Sequence, residues 1–262
     1  MMKQRIGVVL ESLRLNIKDG IKTASILGFH GIQISTAQKV LTPENFSQTG
    51  RREFRRLLNI NQLSLCAIGE GFGSGFVNEN EFDFSIKRIK ETVNLALDLQ
   101  TNIVTIQIGS LPADSGSSHG SMVRSALNEI GRYAENYGCC LAANISFDSI
   151  TPVKDFLVSL ETEGIKLTYD PVSLLMNKLD PIKSIFDLHQ YLIHTNIFDI
   201  KQSGEGRQRE VPLGEGIVPT QEFTSTLDAV GYQGFYVINS HGSEQPVEII
   251  KRGKEFLEKV SH

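Results

Sequence analysis

Short apolar runs alternate with longer stretches in which apolar positions recur every three or four residues, and the alternation continues along the whole chain. The short runs predict strands over 5–10, 31–35, 63–68, 102–108, 139–145, 165–169, 195–200 and 234–238. The longer stretches predict the helices between them. The first covers 17–27 and is closed by Gly28. The second opens at Thr42-Pro43-Glu44, with Thr42 as N-cap, and runs through the basic residues 51–56, read as a solvated face. Further helices are predicted over 84–99, from the end of a Ser/Gly-rich loop at 110–121 to Asn136, from Thr151-Pro152 onward, within 173–192, and over 220–230 and 246–260. A glycine-rich loop at 69–75 follows the third strand, and a polar loop at 202–216 follows the seventh.

Strands joined by helices pair in parallel and need both faces of the sheet covered, and eight such units close into a barrel. The chain is therefore expected to be a single α/β domain, a (β/α)8 TIM barrel over 1–262. A doubly wound open sheet is the alternative. It would place a glycine-rich dinucleotide fingerprint after the first strand, where the chain has Glu11-Ser-Leu-Arg-Leu15. Composition fits a globular chain: 40% apolar, 21% charged. The 26 Lys and Arg against 30 Asp and Glu leave a net charge of -4, without the basic footprint that nucleic-acid binding needs. No apolar run approaches the roughly 20 residues that cross a bilayer, and the first strand is reached without a signal-peptide layout. Cys66, Cys139 and Cys140 all sit in apolar strand segments, and neighbours such as Cys139 and Cys140 point to opposite faces of a strand. They read as small buried hydrophobes of a cytoplasmic protein.

In such a barrel the working residues stand at the C-terminal ends of the strands. That rule selects Glu11, Gln33, Glu70, Gln107, Asn144, Asp170, Asn196, Asp199, Lys201, Asn239 and His241. Most are amides. Asp170 ahead of Pro171 also suits a helix N-cap, and His241 also suits an exposed loop. His30, His189 and His194 fall in helices or bottom connections and read as structural or exposed, while His119 falls in the upper Ser/Gly loop.

The same strand ends carry a resemblance. It lies in Asp199-Ile-Lys-Gln202, the polar loop after it, Val211-Pro-Leu-Gly-Glu-Gly216, and Val230-Gly-Tyr-Gln-Gly-Phe-Tyr-Val-Ile238. Ile26-Leu-Gly-Phe-His-Gly-Ile-Gln-Ile34 and Tyr169-Asp-Pro-Val-Ser-Leu174 add to it. On these segments the chain resembles the xylose isomerase-like barrel family of sugar isomerases and epimerases over essentially its full length. The resemblance implies one divalent metal held by a glutamate on strand five, an aspartate ending strand six, a histidine on strand seven and a glutamate on strand eight. Here the corresponding positions hold Asn144, Asp170, Asn196 and Asn239. Ser173 stands where a histidine often follows the aspartate, Gln33 where strand two often carries an acid, and Glu215 matches the family's turn.

One carboxylate and three amides offer a cation far less charge than three carboxylates and an imidazole. Amides also have no proton to exchange near neutral pH. The expectation is no bound metal, a degenerate ring, and a mouth that binds a small carbohydrate- or polyol-like molecule through Asn144, Asp170, Asn196, Asn239, His241, Glu70 and Lys201, with no assigned catalytic residue. An active sugar or sugar-phosphate isomerase or epimerase with an altered site, and a non-catalytic scaffold, remain as alternatives. Neither nucleic acid nor membrane is expected as a partner, and homo-oligomerisation stays open.

Overall fold

The computed structural model describes residues 4–37, 41–70, 81–111, 117–202 and 208–260. Eight parallel strands form a closed barrel: β1 (Arg5–Val9), β2 (Gly31–Ser35), β3 (Ser64–Gly69), β4 (Ile103–Ser110), β5 (Cys140–Ser146), β6 (Ile165–Tyr169), β7 (Leu192–Ile197) and β10 (Phe235–Ile238). The ring closes where β1 pairs with β10, Val8 opposite Ile238. Between β7 and β10 lies a separate antiparallel hairpin of β8 (Asp199–Gln202) and β9 (Gln208–Val211). The helices are α1 (Ile17–Ile26), α2 (Gln48–Ile60), α3 (Phe82–Asp98), α4 (Ser118–Asn136), α5 (Ile150–Val158), α6 (Pro171–Met176), α7 (Pro181–Leu188), α8 (Thr220–Ala229) and α9 (Pro246–Val260). A 3-10 turn, Leu10–Leu13, follows β1.

Alternation along each strand sorts the side chains. Ile6, Val8, Ile32, Ile34, Ile106, Ile108, Ala143, Ile145, Ile197 and Ile238 belong to the layer packed against the helices, which contribute Ile21, Leu58, Val93, Leu127 and Leu227. The residues between them face the barrel axis, where Val9, Cys66 and Val237 form a small cluster of their own under Phe235. Gly31 is required there: a Cβ on it would lie 2.6 Å from the Cys66 sulfur and 2.8 Å from the Ser64 carbonyl oxygen. All three cysteines are free thiols, with Cys66 and Cys139 buried. Burial pushes the Cys66 thiol up strongly, and lifts Cys139 to about 12 and Cys140 to about 11. Because only the thiolate is nucleophilic, native protein at pH 8 is expected to resist iodoacetamide at all three positions. Per-residue mass spectrometry checks this, with complete labelling in denaturant as the reference.

Several boundaries differ from those the pattern predicts. The seventh strand ends at Ile197, not at residue 200, because Phe198 turns the chain out of the barrel and into the hairpin. The polar loop at 202–216 therefore contains a strand, β9. Thr42 does not cap a helix: it closes a single turn through the Asn45 and Phe46 N–H groups. α2 starts after Ser47, whose hydroxyl accepts from Gly50 N–H at 3.2 Å. Arg51 is not part of a solvated face. It donates to the Phe46 and Pro43 carbonyls at 2.8 and 2.6 Å and so fixes that turn. α4 begins at Ser118, capped by Ser117, so His119 lies in a helix rather than a loop. The segment 173–192 splits in two because Asp180-Pro181 starts a new helix. The glycine loop beyond Glu70, and 112–116 of the Ser/Gly loop, lie outside the described residues. Among the described residues no helix is long and apolar enough to cross a membrane.

Candidate functional site

Asn144, Asp170, Asn196 and Asn239 stand at the C-terminal ends of four consecutive barrel strands, β5, β6, β7 and β10. Asn144 sits beside Gln107 across the β4–β5 pair, and Asn196 beside Val237 across β7–β10. Asn239 leaves β10 with its N–H on the Ile197 carbonyl at 2.9 Å. Each follows or precedes a residue of the helix-packed layer, so each faces the axis. A narrow cleft between β5, β6 and α6 is lined by Asn144, Thr168, Asp170, Ser173 and Asn177.

Asp170 does two things at once. Its Oδ1 accepts from Val172 and Ser173 N–H at 2.9 and 3.1 Å and caps α6, while Oδ2 accepts from the Ser173 hydroxyl at 2.8 Å. Burial pushes its carboxyl up; the Ser173 and Val172 donors and the charge of His241 act the other way. The N-cap and the place at the mouth are therefore compatible. Asn239 is engaged on both atoms: Oδ1 accepts from Ser12 Oγ at 2.6 Å and from Ser240 N–H at 2.8 Å, and Nδ2 lies 3.0 Å from His241 Nε2. The His241 ring stands edge-on to Phe198, centroids 4.9 Å apart. Its backbone N–H, with that of Gly242, donates to Glu210 Oε2 at 2.8 and 2.9 Å. Glu210, on the β9 arm of the hairpin, is a mouth residue that the sequence pattern did not single out.

A second feature continues around the rim. Glu11, in the 3-10 turn after β1, accepts from Ser35 N–H at 2.8 Å through Oε1. Burial pushes its carboxyl up, against the Ser35 donor. Among the described residues its Oε2 has no partner, and neither do Gln33 Oε1, Asn196 Oδ1, Glu210 Oε1 or Ser240 Oγ, although all are buried atoms.

The remaining candidates are placed elsewhere. Glu70, just past β3, leans toward α3: it accepts from the Thr92 hydroxyl and lies 3.5 Å from Arg88 Nε. Burial raises its carboxyl, opposed by Thr92, Thr36 and Arg88. Lys201 is exposed and sits opposite Arg209, on the other face of the hairpin from the Ile200–Glu210 pair. Asp199 is fully buried and serves the fold, accepting from four backbone N–H groups. Glu215 pairs with Arg252 of α9 at the surface. His119 packs near Phe82. His194, on the barrel-facing side of β7 below Asn196, is buried rather than exposed, has no partner on either ring nitrogen among the described residues, and is held neutral, its pKa pushed down to about 3 by burial. A groove of about 610 Å³ beside Lys90, Arg124, Asn128 and Tyr133 lies on the outer helices, away from the mouth.

Comparison with known proteins places this geometry. A family model described as xylose isomerase-like TIM barrel matches residues 21–260. No curated protein matches the sequence. Among solved structures, a xylose isomerase domain protein from Planctomyces limnophilus superposes with a TM-score of 0.83 at 18% identity, covering 98% of this chain and 96% of the other. The 3-keto-D-glucoside 4-epimerase of E. coli gives 0.77 at 15% identity, covering 98% and 100%. A xylose isomerase-like TIM barrel protein from Mycobacterium smegmatis, in complex with magnesium, gives 0.76 at 14% identity, covering 99% and 98%. At these identities the likeness is one of fold.

Proposed function

The chain belongs to the xylose isomerase-like TIM barrel family, and from that footing we propose that its C-terminal mouth binds a carbohydrate or polyol without metal-dependent isomerisation. One observation carries the reading: three of the four ring positions hold amides, and the Asn239 oxygen is already taken by Ser12 and Ser240. A divalent cation is held chiefly by carboxylate charge. Only Asp170 supplies it in this ring, and among the described residues no three His, Cys, Asp or Glu side chains are gathered for a metal. The donor set does not fit the ion. Nor can the amides of Asn144 and Asn239 exchange a proton near neutral pH.

What the ring can do is recognise hydroxyls. Asn144 and Asn196 offer both a donor and an acceptor, as sugar hydroxyls do. Asp170 is fixed by its capping bonds, so its carboxylate is preorganised, and His241 is braced between Phe198 and Asn239. A small number of precisely placed polar groups is what fixes the orientation of a small ligand in a preformed pocket. The three free thiols support a cytoplasmic location.

Thermal unfolding in EDTA, against ketoses, polyols and sugar phosphates, tests the proposal. At a hundred times its Kd a ligand adds about 2.7 kcal/mol, which is roughly 5–10 °C for a chain of this size. Tight stoichiometric metal, or turnover of an aldose–ketose pair, would overturn it. The second reading, an active isomerase or epimerase with an altered site, draws on the electrostatic contact of Asp170 with His241. Metal-independent turnover lost in His241→Gln would favour it.

A further inference from the structure

We propose that the ligand of this mouth carries a protonated amine alongside its hydroxyls, as an amino sugar or amino-polyol does. This rests on the sugar-binding reading above and narrows it. The observation is the nature of the unpartnered atoms. Of the five buried orphans at the rim among the described residues, the amide oxygens Gln33 Oε1 and Asn196 Oδ1 and, as carboxylates, Glu11 Oε2 and Glu210 Oε1 only accept; Ser240 Oγ can also donate. Gln33 is more than nine-tenths buried, and its amide lies over Gly69 inside the barrel.

These atoms form one arc. Glu11 is tied to β2 through Ser35 N–H, Ser12 beside it to Asn239, Asn239 N–H to β7, and Glu210 to His241 and Gly242 just past β10. The strands involved are neighbours in the order β2, β1, β10, β7. Three strand spacings of about 4.8 Å make the arc roughly 14 Å long, which matches an extended six-carbon chain with terminal heteroatoms, about 9 Å, plus a hydrogen bond of about 2.8 Å at either end, rather than a compact ion.

Buried acceptors without donors are costly, and a ligand that supplies donors relieves them. Hydroxyls give one hydrogen each. An ammonium gives three, accepts none, and brings a positive charge. Charge decides between them. Glu11 and Glu210 are carboxylates with one oxygen on backbone N–H and the other bare, and among the described residues neither has a basic side-chain partner. Lys201 and Arg209 are exposed on the hairpin face away from Glu210. Among the described residues the arc thus presents two carboxylates without a cationic partner to whatever enters.

The test is calorimetric titration of the wild-type protein in EDTA with matched pairs: glucamine against sorbitol, D-glucosamine against D-glucose, D-galactosamine against D-galactose. The amine member is expected to bind on the order of ten-fold more tightly, with the preference falling as salt rises. Glu11→Gln with Glu210→Gln is expected to level the pairs. Equal affinities within every pair would sink the amine and leave polyol binding standing. No binding by either member would sink both. A larger thermal shift from Mg2+ alone, without EDTA, would make the arc an ion site and also overturn the proposal. The wild-type pairs decide the matter whether or not the double variant folds.

Discussion

Asp199→Asn is expected to cost about 4 kcal/mol of stability, a fall in melting temperature of roughly 10 °C. The carboxylate is fully buried at the point where the chain leaves the barrel. Its Oδ1 accepts from Ile200 and Val218 N–H at 2.9 and 3.1 Å, and its Oδ2 from Gly214 and Gly216 N–H at 3.1 and 2.9 Å. Both oxygens are therefore doubly used. Asn keeps one acceptor and turns an NH2 toward two N–H donors, whichever way the amide sits. Each backbone donor left facing another donor costs about 1–3 kcal/mol. The approach is so close that a Cβ at Gly216 would lie 2.1 Å from Oδ1, which is why glycine stands there. Asp180→Asn is the control. Asp180 is an exposed N-cap accepting from Ile182 and Lys183 N–H, and Asn caps about as well as Asp, so the change should be within about 0.5 kcal/mol. Chemical denaturation of both variants checks the pair; a loss below about 1 kcal/mol at Asp199 would mean that the turn holds itself.

The same residue shows where the sequence was readable and where it was not. Asp199 and the Leu213-Gly-Glu-Gly216 turn carry much of the family resemblance, and the structure gives the reason: one carboxylate staples the two segments. The barrel was legible because each strand repeats with period two and each helix with its own apolar stripe. The strand-end positions of Asn144 and Asn239 followed from that period, whereas Asn196 fell at the start of the strand expected over 195–200 and was placed by the family resemblance; the strand in fact spans Leu192–Ile197. The end of strand seven was not legible, because Ile197-Phe198-Asp199-Ile200 keeps the apolar alternation while the backbone changes partner. Glu210 was missed for the same reason. It has no register until β8 and β9 pair, and only the mirrored polar–apolar pattern of Asp-Ile-Lys-Gln202 and Gln208-Arg-Glu-Val211 hints at a hairpin. Glu11 and Gln33 were found as strand-end residues, but that one oxygen of each lacks a donor among the described residues is a property of three-dimensional neighbours alone.

Restoring the ring should produce the largest gain. The triple variant Asn144→Glu, Asn196→His, Asn239→Glu is expected to bind Mn2+ on the order of a thousand-fold more tightly than the parent, about 4 kcal/mol. The four positions already lie on consecutive strands and face one axis, so the change is one of charge and ligand type, not of placement. Two introduced carboxylates beside Asp170 bring the ring to three negative charges, and the imidazole suits a transition metal. Without metal the variant should be less stable than the parent. Asn239→Glu removes the NH2 that faces His241 Nε2 and shifts by one methylene the acceptor that Ser12 and Ser240 now use, and like charges in a half-buried ring repel. Metal should then reverse the loss, since binding at a thousand times Kd returns about 4 kcal/mol to the folded state. Melting curves with EDTA and with Mn2+, joined to metal titration, separate the terms. A variant destabilised in EDTA and rescued by Mn2+ would mean that three amides are what keep the parent ring from holding the ion. A variant that folds yet gains no affinity would mean that the ring is not the metal position, and the functional reading built on it would fall.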